Sequence, residues 1–434
     1  MFEKSFSGFA RLPNLASFRT ISAFGLGFVN PSQRSLNFKT HSETVLRRFV
    51  MLIVLMLVAC QFVTSTVTFP SPTTTSFPTE TPILQPTFTE TPTLIPTVPA
   101  STVELEGAQV RQGFSLIKFA DLYRPTAFAF DSQARMYVTS QDGNVYLMRD
   151  DDKDGRADSR MTFPSGYYFP LGVAVHIPTG DVYVSHQGKI TVLSDTNGDD
   201  KADGQEIFAE GLPFDLHQND NLKFGPDGWL YIGVGSTCNA CDDLDRRSAA
   251  ILRFNIDTGE SEVYATGLRN PFDVAFYPEN GELFATDNGR DDLGMDAPFE
   301  ELNHIIQGGD YGYPDCWNEQ DVPGCENTIP AVAFFEAHSS ADGLDFYNGE
   351  KFPVEYRGNA FVSIFGSWLK PNVQTGIQRV VLTSHGDTFT GETSWFIRFP
   401  QGVMPLPLLF GPDDALYVGD YVNDTIYRIS YGMP

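Results

Sequence analysis

His217 is a titratable imidazole in a polar loop, directly ahead of the apolar stretch Leu222-Lys223-Phe224 and a Pro226-Asp227-Gly228 turn. A second stretch, Leu230-Tyr231-Ile232, follows, so the sequence reads as a β-hairpin with one histidine at its entrance. A histidine held there can exchange a proton with a ligand near neutral pH, or simply hydrogen-bond within its loop. Further on, Gly267-Leu268-Arg269-Asn270-Pro271 leads into another hairpin. Asp287-Asn288-Gly289-Arg290, Glu300-Glu301-Leu302-Asn303 and Gly308-Gly309-Asp310-Tyr311-Gly312-Tyr313-Pro314 come after it. The guanidinium of Arg269 can stabilise negative charge on a bound group, or pair with one of the nearby acids.

Two acidic loops have the spacing of cation ligands. Asp150, Asp152, Asp154 and Asp158 fall at positions 1, 3, 5 and 9 of a run with Gly155 at position 6. Asp195, Asn197, Asp199 and Asp203 repeat the pattern, with Glu206 at position 12. Hard oxygen ligands at these intervals wrap one Ca²⁺. The first run has Met161 at position 12 and the second has Asp200 in place of the glycine. No helix pair flanks either, so they read as calcium loops between strands or as solvated acidic turns.

Five cysteines, Cys60, Cys238, Cys241, Cys316 and Cys325, leave one without a mate. Arg47-Arg48 followed by the apolar run Phe49 to Ala59 reads as an export signal, too short to span a bilayer. The run ends Leu57-Val58-Ala59-Cys60, which resembles the bacterial lipobox. That implies a lipidated Cys60 as first mature residue, an exported chain, and a membrane partner reached through a lipid anchor. In an oxidising compartment Cys316 and Cys325, which flank a loop, are expected to pair. Cys238-Asn239-Ala240-Cys241 has no second CxxC or histidine pair nearby, so a tight structural disulfide is preferred over zinc or redox chemistry.

These residues need a scaffold. Residues 1–60 comprise the N-terminal extension and signal, and 61–104 form a Thr/Pro-rich segment that cannot bury a core and reads as an extended tether. Residues 105–434 make the folded part. There a unit of strand, turn and strand recurs, starting at Phe128, Val173, Leu222, Val274, Ala360 and Leu408. The first intervals are 45 (173−128), 49 (222−173) and 52 (274−222) residues. A period of roughly 45 residues is that of a four-stranded propeller blade. The expected fold is therefore all-β, a six-bladed propeller. The long interval before Ala360 reads as an insertion, Pro314 to Ser340. A net charge of −26 argues against nucleic-acid binding and is compatible with small substrates and divalent cations.

The order of His217, the Phe224-Gly225-Pro226-Asp227-Gly228 turn, Arg269-Asn270 and the Asp287 to Pro314 motifs resembles the glucose/sorbosone dehydrogenase family. Gly235-Ser236-Thr237-Cys238-Asn239-Ala240-Cys241, His338, Gly343-Leu344-Asp345-Phe346-Tyr347 and Gly366-Ser367-Trp368 look like its sorbosone branch. The resemblance implies a six-bladed propeller that oxidises a CH–OH group of a sugar or related polyol with pyrroloquinoline quinone (PQQ) and Ca²⁺, passing electrons to an acceptor the sequence does not name. By this resemblance His217 is the general base and Arg269 stands beside the quinone oxygens. Asn270 and Asn288 hold the cofactor, the carbonyls of Gly289 and Arg290 bind its calcium, and Glu301 and Tyr311 brace that loop. One departure concerns charge. PQQ carries three carboxylates, which need cationic partners, and Met404 stands where the family often has an arginine. Lys370, Arg379 and Arg124 are the candidate substitutes. The alternatives in other classes are a cofactor-free surface propeller that binds glycan or protein, and a Ca²⁺-dependent lactonase.

Overall fold

A computed structural model describes residues 98–317 and 323–433. The signal segment, Cys60 and most of the Thr/Pro-rich tether lie outside the described residues. Short apolar runs broken by glycine, proline and aspartate turns form strands throughout, and one 3₁₀ turn, Val354–Tyr356, is the only helical element among the described residues. No helix there is long and apolar enough to cross a membrane.

Two strands come first, β1 (Gln109–Val110) and β2 (Phe114–Asp121). Six antiparallel sheets follow. The first holds β3 (Pro125–Phe130), β4 (Met136–Ser140), β5 (Asn144–Arg149) and β6 (Ser159–Ser165), and the second β7 (Gly172–His176), β8 (Asp181–His186), β9 (Lys189–Ser194) and β10 (Gly204–Glu210). The third holds β11 (Asn219–Phe224), β12 (Leu230–Val234), β13 (Ala250–Phe254) and β14 (Ser261–Thr266). In the fourth are β15 (Val274–Phe276), β16 (Leu283–Asp287), β17 (Glu300–Ile305) and β18 (Ala333–Phe335). The fifth has β19 (Ala341–Phe346), β20 (Ala360–Ile364), β21 (Gly376–Ser384) and β22 (Phe389–Arg398), with β1 added at its outer edge. The sixth has β23 (Pro405–Phe410), β24 (Leu416–Asp420) and β25 (Thr425–Tyr431), and takes β2 as its outer strand.

First strands touch in ring order, β3 to β7, β11, β15, β19, β23 and back to β3. The molecule is a six-bladed β-propeller. Each junction between neighbouring blades carries its own apolar core: Val173 and Tyr137 meet between the first and second, Tyr231 and Leu283 between the third and fourth, Phe361 and Val418 between the fifth and sixth. Antiparallel order brings the loop entering each blade and the loop joining its second and third strands to one face, here the upper face. The Pro-Asp-Gly turns and the loops joining third and fourth strands lie on the lower face.

One sequence-based unit start is displaced. Ala360 opens β20, a second strand; the first strand of the fifth blade is β19, where Leu344 matches Leu222 and Leu408 of the other blades. The intervals then become 70 (344−274) and 64 (408−344). The extra length divides between the β17–β18 loop and the segment from Tyr347 to Asn359.

The ring closes through β2, which pairs with β25 from Phe114↔Tyr431 to Asp121↔Thr425. β2 buries Phe114, Leu116, Ile117 and Phe119, roughly 6–12 kcal/mol of burial at the usual value per side chain. That rivals the whole net stability of a domain, about 5–15 kcal/mol. A chain begun at Leu122 is therefore expected to yield no folded monomer, read as loss of the cooperative thermal transition and of the monomer peak in size-exclusion chromatography.

Candidate active site

His217 lies in the upper-face loop between β10 and β11. Its Nδ1 is 2.9 Å from the Ser236 carbonyl oxygen and 3.1 Å from Ser236 Oγ. A carbonyl only accepts, so the proton sits on Nδ1 and Nε2 keeps its lone pair. His217 lines a cleft of about 320 Å³ together with Tyr168, Phe169, Gln218, Asp220 and Asn270. Burial, and then the Arg269 charge, push the imidazole down to about 4. It is a neutral base at neutral pH. The close approach of the two loops requires glycine at 235, where a Cβ would stand 2.4 Å from His217 Cβ and 2.6 Å from Asn270 Oδ1.

Arg269 is the hub of the neighbouring loops. Its Nε donates to the Asn239 carbonyl (3.0 Å), NH1 to the Asn288 carbonyl (3.2 Å), and NH2 to Asn239 Oδ1 (2.8 Å) and Asp291 Oδ2 (2.7 Å). The Cys238–Cys241 disulfide brackets Asn239, which gives the CxxC motif its structural purpose. Asp287 accepts the main-chain N–H groups of Arg269 (3.0 Å) and Asn270 (2.7 Å). Burial, with Glu301 beside it, pushes the Asp287 carboxyl up to about 8. Asn270 Oδ1 and Asn288 Oδ1 are buried and without hydrogen-bond partners.

Gly289, Arg290, Glu301 and Tyr311, predicted around a calcium ion, all line one cavity of about 30 Å³. Glu300 also holds this loop, accepting the Gly289 N–H at 2.7 Å, and burial pushes its carboxyl up to about 8. The Tyr311 hydroxyl instead donates to the His304 carbonyl (2.5 Å) and accepts from Ile306 N–H (2.9 Å), fastening the end of β17.

An apolar floor of Phe272, Phe365 and Leu406, packed with Leu171, Met404 and Tyr421, lies on the upper face. Met404 thus contributes to this floor rather than charge. Two of the three candidate cations stand on the same face. Lys370 pairs with Glu336 (3.0 Å) and Asp296 (3.4 Å). Arg124 stacks over the Tyr421 ring at 5.3 Å and donates to Gln141 Oε1 at 2.6 Å; its main-chain N–H donates to Asp424 Oδ1 (3.1 Å), and its guanidinium forms no ion pair among the described residues. Arg379 is a correction. It pairs with Phe361, at the lower end of β20, and turns its guanidinium to Asn359 and the Glu355 carbonyl of the lower β19–β20 loop.

The family described as "Domain of unknown function (DUF7133)" matches residues 101–429. The chain belongs to this family. Among curated relatives, an uncharacterized protein of Borreliella burgdorferi is 27% identical over 334 residues, covering 68% of this chain and 86% of that protein. The aldose sugar dehydrogenase YliI of Escherichia coli is 25% identical over 228 residues, covering 46% of this chain and 56% of that protein. Among solved structures, a calcium structure of a Trichoderma reesei carbohydrate-active enzyme of family AA12 has a TM-score of 0.66 at 19% identity, covering 77% of this chain and 100% of that one. The PQQ-bound aldose sugar dehydrogenase of Streptomyces coelicolor has a TM-score of 0.56 at 20% identity, covering 73% of this chain and 98% of that one. The resemblance to sugar dehydrogenases thus extends to sequence and fold; the relatives include proteins named as aldose and glucose dehydrogenases, and the sorbosone branch is not distinguished.

The acidic loops of this DUF7133 chain join third to fourth strands, on the face opposite His217. In the first, Asp150, Asp152 and Asp158 bring carboxylate oxygens within 4.8 Å of one another, and Asp150 Oδ1 is buried without a hydrogen-bond partner. Asp154 instead caps the Arg156 N–H. The second loop gathers no such cluster among the described residues. Asp203 is occupied by Thr196 and Asn197, Asp195 and Asn197 cap backbone N–H groups of their own loop, Asp199 caps the Lys201 N–H, and Glu206 points outward from β10. Asp200, in the glycine's place, bridges Arg135 and Arg149 of the first blade. Both expected disulfides are formed.

Because Arg269 disfavours a second positive charge, the His217 ring is expected to titrate near pH 4 in the wild type and at a higher pH in Arg269→Gln. Selective ¹⁵N labelling of histidine reads both, and an unchanged midpoint would contradict the assigned coupling.

Proposed function

We propose that this chain is a PQQ- and Ca²⁺-dependent sugar dehydrogenase, exported and lipid-anchored through Cys60, that oxidises a CH–OH group of a sugar or related polyol. The observation that carries the reading is the neutral His217, its Nε2 lone pair free at a cleft beside an apolar floor. The names of its relatives, an aldose sugar dehydrogenase and a PQQ-bound one, support the same class.

The residues present suit such a cofactor. A flat heteroaromatic ring matches the apolar floor, and buried Asn270 Oδ1 and Asn288 Oδ1 need partners. Arg124 and Lys370 would answer its carboxylates, and the Gly289 and Arg290 carbonyls would face its calcium. When bound, PQQ supplies the acceptor for the hydride. His217 Nε2 takes the hydroxyl proton, and the Ser236 carbonyl stabilises the imidazolium through Nδ1–H. Arg269 positions the Asn239, Asn288 and Asp291 loops, and its charge keeps His217 unprotonated until the hydroxyl arrives.

Met404 in the floor, where an arginine is expected, favours a second reading, a cofactor-free propeller that binds glycan. Reconstitution separates the two. With PQQ and Ca²⁺ added, the wild type is expected to reduce a redox dye in the presence of an aldose, and His217→Ala to lower kcat by about 10²–10⁴-fold. PQQ that fails to bind in a titration, or activity indifferent to His217→Ala, would sink the dehydrogenase reading.

A further inference from the structure

The cleft at His217 has features that proton transfer leaves unused. Tyr168 and Phe169, in the loop between β6 and β7, are 67% and 42% exposed, and their ring centroids lie 5.8 Å apart. A contiguous exposed apolar patch, unlike a single exposed ring, often marks a binding site. Here it is held in place. Gln218 Nε2 donates to the Phe169 carbonyl (2.8 Å), the Gln187 N–H to the Tyr168 carbonyl (3.1 Å), and Phe169 sits at a φ of 51°. Leu216, 54% exposed, borders the same cleft.

Polar groups stand among these apolar ones. Asp220 is 2% exposed, yet it lines the cleft, and its Oδ2 is buried with no hydrogen-bond partner. An unpaired buried oxygen is costly unless a ligand completes it. Asp215, Gln187 and Gln218 also line the cleft, and no lysine or arginine does. A sugar ring offers what this surface lacks: a C–H face for aromatic rings and hydroxyl donors for carboxyl and amide oxygens. Asp215 at the cleft and no lysine or arginine to offset it make the cleft a poor host for an anionic sugar.

We propose that this cleft is a second saccharide subsite, in which a neutral sugar unit linked to the one at His217 lies on Tyr168 and Phe169 and donates a hydroxyl to Asp220. The substrate class is then a neutral oligosaccharide rather than a free monosaccharide or an acidic sugar. The proposal rests on the dehydrogenase reading for the unit at His217, but the binding itself requires no cofactor.

Calorimetric titration of the full chain without cofactor tests it, using glucose, maltotetraose, cellotetraose and tetragalacturonate. At least one neutral tetrasaccharide is expected to bind about tenfold tighter than glucose. Tyr168→Ala should remove that advantage and leave glucose affinity unchanged. Asp220→Leu should weaken the tetrasaccharide, while Asp220→Asn, which keeps an acceptor oxygen, should retain most of its affinity. If Asp220→Leu fails to fold, Tyr168→Ala decides alone. The proposal is overturned if neither neutral tetrasaccharide exceeds glucose, if Tyr168→Ala preserves the advantage, or if tetragalacturonate binds as tightly. Tetrasaccharide binding without dye reduction on reconstitution would refute the dehydrogenase reading and leave this subsite standing; dye reduction with glucose and no tetrasaccharide advantage would do the reverse.

Discussion

The hydrogen-bonded ladder between β2 and β25 is the constraint on which everything else depends. A row of six sheets left open would expose an apolar sheet face at each end. Closing it presses each blade's first strand against two neighbours, and the loops entering the blades converge on one face. Arg124, His217, Arg269, Asn288 and Lys370 come from points spread over some 250 residues of chain (370−124). Closure is why they share a surface. It also means the site is built from loops whose ends are fixed by strands, so small side chains such as Gly235 can set how near two loops come.

Electrostatically, the upper end of the propeller is arranged to carry less charge than its acids suggest. Burial raises Asp287 and Glu300 to about 8, Asp342 to about 7 and Asp273 to about 6. The same burial lowers His217 to about 4. Acids shifted toward their protonated form and a base held unprotonated are both consequences of one low-dielectric environment. Such a setting favours proton exchange at a single defined atom and disfavours stray charge around it.

The ring was legible in the sequence because each blade repeats a strand, a Pro-Asp-Gly or related turn, and a second strand. The fifth blade obscured its phase because β19 reads Ala-Asp-Gly-Leu-Asp-Phe, too polar to look like an inner strand; its aspartates face the buried axis, where Asp342 meets Asn288. His217 could be picked out by its position before a hairpin, and the Gly289 to Tyr311 set by order alone. That Glu300, rather than its neighbour Glu301, accepts the Gly289 N–H could not, since the two differ only by strand phase. Arg379 failed for a related reason: it lies inside β21, and local sequence does not say that its long side chain reaches down to Asn359 and the Glu355 carbonyl. The second acidic loop shows that ligand spacing is satisfied equally well by backbone caps, and that Asp200 serves a neighbouring blade rather than an ion.

The disulfide between Cys238 and Cys241 has a consequence for where the protein can work. Asn239, enclosed within that four-residue loop, gives Arg269 two of its four acceptors. In a reducing cytosol the loop stays unclosed, and the arginine that organises the neighbouring loops loses a fixed anchor. The charge pattern around His217 is thus completed in surroundings that oxidise thiols, and a chain with these two thiols reduced carries the fold without the finished pocket.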